Sequence, residues 1–140
     1  MKSKILFFGP LPPIFTGQSI AFLYAIRSIE RESVVINTQS FSNKFLGFIY
    51  IQVRTLQVFI LNRIDTIYIT TSRSYFGFFR EALILLIAKI FNIRVVNHLH
   101  GSDFYDFYNS SWLLKKILKP LYSHISTSIV LLDGMKEQYK

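Results

Sequence analysis

Along the chain, short apolar runs rich in β-branched residues alternate with longer stretches in which apolar positions recur at steps of three and four. Lys4 to Phe8 predicts a first strand and Ser33 to Asn37 a second, with Val34-Val35-Ile36 at its centre. Asp65 leads into a third strand over Thr66 to Thr70; Ile93 to Asn97 makes a fourth and Ser128 to Leu132 a fifth. Gln18 to Arg31 predicts a helix with Ile20, Leu23, Tyr24 and Ile29 on one face. Lys44 to Asn62 predicts a second. Phe45, Ile49, Val53, Leu56 and Ile60 form one stripe along it, but Leu46, Tyr50, Val58 and Leu61 make its other faces apolar too. A helix apolar on several sides is buried, or meets lipid or a partner. Phe76 to Phe91 is a third helix, closed by Asn92, a residue tolerant of left-handed backbone. Ser110 or Ser111 caps a fourth, running to Tyr122 with Leu113, Leu114, Ile117, Leu118 and Leu121 on its apolar face; Pro120 predicts a kink or an early end. Asp133 caps a last helix, Gly134 to Lys140.

Strict βα alternation predicts the α/β class: a Rossmann-like parallel sheet of about five strands with helices on both faces. The 140 residues read as a single domain, 1–140, with no internal linker. In an open parallel sheet ligands sit outside the carboxyl ends of the strands. Two stretches fall there: Gly9 to Gly17 after the first strand, and Asn97-His98-Leu99-His100-Gly101-Ser102-Asp103 after the fourth.

Composition narrows the partners. Half the chain is apolar, enough for a core, and there is no cysteine, so disulfides and thiolate metal sites are excluded. The net charge of +8 favours anionic partners: phosphates, nucleotide sugars, nucleic acid or acidic lipid. No secretory signal precedes Gly9-Pro10, and charged or amide residues interrupt both long apolar stretches, which argues against transmembrane helices.

The Gly9 to Gly17 loop has the position of a phosphate-binding turn but only two glycines, short of the dinucleotide pattern G-x-G-x-x-G, and a proline-stiffened connector fits it equally well. His100 and Asp103 offer an imidazole and a carboxylate to a sugar or phosphate; His98 and His100 also fit a role in satisfying backbone carbonyls. No third metal ligand accompanies the two histidines. Lys115, Lys116 and Lys119 gather on the fourth helix, where they suit an anionic membrane or simply a solvated face. Tyr105, Tyr108 and Trp112 nearby suit base stacking, but no RNP, helix-turn-helix or zinc-finger pattern accompanies them, so nucleic acid is not an expected partner.

Four phrases, in order and spread over nearly the whole chain, resemble the N-terminal domain of GT-B glycosyltransferases, in particular the retaining enzymes of glycosyltransferase family 4. These are Lys4-Ile5-Leu6-Phe7-Phe8-Gly9-Pro10 with Pro12-Pro13 and Gly17; Ile64-Asp65-Thr66-Ile67-Tyr68-Ile69; Arg94 to Asp103, ending in His100-Gly101-Ser102-Asp103; and Ser128 to Leu132 followed by Gly134-Met135-Lys136. The resemblance implies transfer of a sugar from a nucleotide sugar donor to a glycan or lipid-linked acceptor in surface polysaccharide synthesis, with retained anomeric configuration and without a metal or other cofactor. It implies His100 as the catalytic contact to the transferred sugar or its leaving group. It implies Gly17, Gln18, Gly101 and Asp103 as substrate-binding residues, Gly17 beside the donor diphosphate. It also implies a cytoplasmic location, peripheral on the inner face of the membrane with Lys115, Lys116 and Lys119 facing it.

The sequence departs from the family at three points. Thr16-Gly17 stands where two glycines are frequent, and Leu132-Asp133 where the final strand often ends in serine. The nucleotide-sugar domain with its Glu-x-x-x-x-x-x-x-Glu pair is not in this chain; the residue eight after Glu81 is Lys89. The expectation is therefore a fragment, or a half that works with a missing C-terminal domain or a partner subunit. The competing expectations are a non-catalytic α/β module derived from such an enzyme that binds membranes or a partner, and a small basic nucleotide or nucleic-acid binder.

Overall fold

The structure, a computed structural model, describes residues 2–72, 74–101 and 103–139; Ser102 of the histidine loop, the side chains of Leu114, Gln138 and Tyr139, and Lys140 at the expected end of the last helix lie outside what it describes. Five strands, β1 (Lys4–Gly9), β2 (Ser33–Asn37), β3 (Ile64–Thr70), β4 (Arg94–Leu99) and β5 (Thr127–Val130), form one sheet in the order β2-β1-β3-β4-β5. Every pairing is parallel. The expected α/β Rossmann-like sheet is therefore present.

Helices α1 (Gly17–Ser28), α2 (Lys44–Leu61), α3 (Tyr75–Ile90) and α5 (Trp112–Tyr122) join the strands, with a short α4 (Phe104–Asn109) between β4 and α5 and a 3-10 helix over Asp133–Tyr139. The step from β1 to β2 runs one way along the sheet and the later steps run the other. Right-handed crossovers then require α1 on one face and α2, α3 and α5 on the opposite face. The packing agrees. Ile5, Phe7 and Tyr68 meet Phe22 of α1, whereas Leu6, Phe8, Ile36, Ile67, Ile69 and Val95 meet Ile51 and Val58 of α2 and Ile84, Leu85 and Ala88 of α3. Phe7, Phe8, Phe22 and Phe78 are fully buried; each such side chain stabilises the fold by about 2–3 kcal/mol.

Several boundaries differ from expectation; α1 ends at Ser28 rather than Arg31 and β5 at Val130 rather than Leu132. The segment 104–109 is helical, although too short to show a period; Phe104 and Phe107, three apart, bury its inner side against Leu99 and Leu118. Pro120 lies inside α5 without ending it: Ser123 N donates to Lys119 O beyond it (3.0 Å), and Lys89 Nζ from α3 donates to Pro120 O (2.7 Å). The closing helix is 3-10 rather than α, anchored by buried Met135. β4 continues to Leu99, so His98 is a strand residue paired with Thr70 and Ile129. Asn92 does take a left-handed conformation (φ 51°) at the end of α3.

Candidate functional site

The strand order reverses between β1 and β3, so their connections leave to opposite faces and a crevice opens at their carboxyl ends. β1 ends there at Gly9. A Cβ on Gly9 would lie 2.6 Å from Thr70 Oγ1 and 2.8 Å from the Phe22 ring, so only glycine lets β1, β3 and α1 meet this closely. Asn37 at the end of β2 accepts at Oδ1 from Leu11 N and from Gln39 N (both 3.0 Å), which ties the loops after β1 and β2 together. α1 starts on a reciprocal cap: Ser19 N donates to Thr16 Oγ1 (3.1 Å) and Thr16 N donates to Ser19 Oγ (2.9 Å). That cap fixes the first turn of α1, which carries Gln18. Gln18 lines a hollow of about 260 Å3 together with Pro10, Thr38, Gln39, Thr70, Thr71, Ser72, Ser74, Arg80 and Asp103.

Adjacent residues of α3 give this hollow its charge. Glu81 is buried; its Oε1 accepts from Ser72 N (2.8 Å) and its Oε2 from the Tyr122 hydroxyl (3.3 Å). Burial pushes its carboxyl up to about 8, against the opposing pull of Arg80 and of the two hydrogen bonds. At neutral pH Glu81 is therefore mostly protonated and does not itself cancel the charge of Arg80. Burial lowers the Arg80 pKa and Glu81 opposes that shift, but a guanidinium stays cationic in a protein. Arg80 donates from Nη1 to Thr38 O (3.2 Å), while its buried Nε has no hydrogen-bond partner among the described residues. Thr70 Oγ1 is buried and unpartnered in the same way. A fork-shaped cation among hydroxyls and two amides, with the Asp103 carboxylate in the same lining, suits a polyhydroxylated group or a phosphate.

The histidines stand beside the hollow rather than in its lining. The Tyr68 hydroxyl meets His98 Nδ1 across the sheet, and burial raises Tyr68 to about 12, so the hydroxyl is the donor and the proton of His98 sits on Nε2. Burial also lowers the His98 pKa, which keeps the ring neutral. Its Nε2 is buried without a partner among the described residues. The His100 ring lies against it, centroids 4.0 Å apart, and is itself buried. The partner of His98 Nδ1 is thus a tyrosine hydroxyl rather than a backbone carbonyl. Thr71 Oγ1 donates to Asn97 Oδ1, which joins the ends of β3 and β4.

Of the residues singled out in the sequence, Gln18 and Asp103 come together in the hollow. Gly101 follows His100 with φ 130°, a conformation that favours glycine. Gly17 opens α1 at an exposed position outside the hollow's lining, with nothing within 4 Å of where its Cβ would be. Lys115, Lys116 and Lys119 are elsewhere, exposed on α5. Lys115 Nζ donates to Asn109 Oδ1 (3.0 Å) and sits 5.2 Å from the centre of the Tyr108 ring; Lys116 sits 5.2 Å from that of Trp112. Sequence reasoning missed Arg80, Glu81, Thr38 and Thr70 to Ser72. The signal was present at Arg80-Glu81: two adjacent charges between the apolar runs Phe78-Phe79 and Ala82 to Ala88 need a structural or chemical reason. Among the described residues no group of three or more His, Cys, Asp or Glu is placed to hold a metal ion. No family model matches the chain, and no curated protein matches it.

Proposed function

We infer that this chain is the acceptor-side half of a retaining glycosyltransferase. In this reading a sugar passes from a nucleotide sugar to a glycan or lipid-linked acceptor of surface polysaccharide synthesis, and a C-terminal domain or partner subunit supplies the remaining donor contacts. The observation that carries the reading is Arg80, a half-buried guanidinium that Glu81 does not neutralise and whose buried Nε has no partner among the described residues, in a hydroxyl-lined hollow at the β1/β3 reversal that also holds Gln18 and Asp103. In the reaction the anomeric bond to the diphosphate breaks, the acceptor oxygen bonds to the anomeric carbon, and the acceptor proton ends on the departing diphosphate. Arg80 stabilises that leaving charge. Asp103 accepts from a sugar hydroxyl, and His100, steadied by its contact with the His98 ring, contacts the transferred sugar.

The test is calorimetric titration of the chain with a panel of nucleotide sugars. Saturable binding that weakens at least tenfold in Arg80→Met and falls in Asp103→Asn is the expected result. No saturable binding by any of them moves the chain to the non-catalytic membrane- or partner-binding reading, which the exposed apolar face of α2 favours. In the complete enzyme His100→Ala cuts turnover with the melting temperature kept; an unfolded variant instead makes His100 a core residue.

A further inference from the structure

The helices on the α2 side of the sheet bury one face and leave the other without a partner. In α2 the inward residues are Gly47, Ile51, Thr55 and Val58. The opposite side is the stripe Phe45, Ile49, Val53, Leu56 and Ile60, with Phe45 69% and Ile60 78% exposed. α3 lies alongside, joined by the Phe48–Phe76 ring contact (5.9 Å) and by Gln52 Nε2 donating to Arg80 O (3.2 Å). Its outward residues, Phe76, Phe79, Leu86 and Ile90, are exposed as well and widen the same surface. A contiguous apolar face of this kind marks an interaction site.

Charge selects the occupant. Across α2, α3 and α5 the only carboxylate is Glu81, and it is buried. Lys44 of α2, Lys89 of α3 and Lys115, Lys116 and Lys119 of α5 are all exposed. A second copy of the chain would set two lysine rims against each other, whereas an anionic lipid headgroup layer answers the charge while its acyl region receives the stripe. By length and mean hydropathy (1.3 over 18 residues) α2 could cross a membrane. Its inner side, however, is packed on the sheet as the connection between β2 and β3, so it can only lie along the surface. An apolar groove of about 300 Å3, with Phe41, Lys44, Phe48 and Phe76 in its wall, leads from this surface to Thr38, Gln39 and Arg80 of the hollow.

We propose that the outward face of α2 and α3 docks on an anionic phospholipid bilayer, with α2 lying in the plane of the interface and the lysines of α5 at its rim. The docking does not rest on the sugar-transfer reading. The test is co-sedimentation of the chain with vesicles of phosphatidylcholine alone or mixed with phosphatidylglycerol. The expected result is at least tenfold stronger binding to the mixed vesicles. The combined Ile49→Gln, Val53→Gln and Ile60→Gln variant then loses at least tenfold in binding with its melting temperature kept. Should that variant not fold, Val53→Trp in a Trp112→Phe background replaces it, and brominated acyl chains quench its fluorescence. Wild-type binding by the triple variant, or an unquenched Trp at position 53, overturns the proposal. A lipid-free dimer that the triple variant dissociates also overturns it, because it gives the face to a second copy. Binding abolished by Lys115→Gln, Lys116→Gln and Lys119→Gln but untouched in the α2 variant overturns it in favour of α5 alone.

Discussion

Each end of the sheet carries a hollow beside an arginine, and the two arginines are in opposite circumstances. At the amino ends the hollow is the larger, about 400 Å3, and is lined by Arg31, Asp65, Arg94 and His124 among others. Arg31 Nη2 meets Asp65 Oδ2 at 2.8 Å, near the surface. Hydrogen bonds from Ser3 and then Arg31 hold the Asp65 carboxyl down at about 2. His124 donates from Nε2 to Ile93 O (2.9 Å). At the carboxyl ends the hollow is about 260 Å3, yet its arginine is half-buried beside a protonated acid, and its buried Nε has no partner among the described residues. Volume does not separate the two ends; uncompensated polarity does.

The comparison is open to test, the largest effect first. Gly9→Ala drives a methyl group into Thr70 Oγ1 and the Phe22 ring. It should lower stability by about 1–3 kcal/mol in urea denaturation, whereas Asp65→Asn at the other end removes an exposed pair contributing about 0–1 kcal/mol. The two ends also differ in pH response. The folded pKa of Glu81, about 8, lies above its ordinary 4.5. Between those values the folded chain keeps a proton that the unfolded chain releases, so stability falls as pH rises, by up to about 1.4 kcal/mol per pH unit. Asp65 is shifted the other way. Its contribution is complete above 3.8 and is lost only as pH falls towards about 2, so it is flat over the Glu81 window. Thermal melts from pH 5 to 9 should therefore show Glu81→Gln gaining steadily on wild type up to about pH 8 and then levelling. A constant difference between the two proteins would mean that Glu81 is ionised in the fold. Next in size, Arg80→Met should weaken phosphate or nucleotide-sugar binding about tenfold, or ~1.4 kcal/mol, and Arg31→Met should leave it unchanged. Equal behaviour of the two variants would erase the distinction between the ends.

The sheet was legible because each strand is a compact β-branched run bounded by turn residues, and alternation with helices leaves few topologies. The histidine loop was legible by its place after β4. What periodicity does not carry is which side of a helix turns inward. The clearest stripe in α2, Phe45 to Ile60, faces out. The inner side uses Gly47 and Thr55, small enough for close packing on neighbouring chain; a Cβ on Gly47 would already be 3.1 Å from Phe41 Cβ. Arg80 and Glu81 were visible as charges, but their chemistry comes from burial under the loop after β3, a tertiary fact. α4 escaped because six residues cannot show a helical period.

The smallest expected change in stability is also the one that bears most directly on the family resemblance. Gly17 was read as the close approach to a donor diphosphate, yet the fold does not demand glycine there. It opens α1, lies outside the left-handed region, and has open space where a Cβ would stand. Alanine is the better helix former, so Gly17→Ala should melt at or slightly above the wild-type temperature, with a gain of at most about 1 kcal/mol. Ligand affinity is then the quantity left free to fall. A Gly17→Ala protein that melts like wild type but binds nucleotide sugar more weakly assigns the glycine to the ligand. Equal binding leaves the anion to Arg80 and returns the Gly9 to Gly17 loop to a stiff connector. Gly9→Ala cannot make this separation, because there the added methyl group damages the strand that holds the site in place.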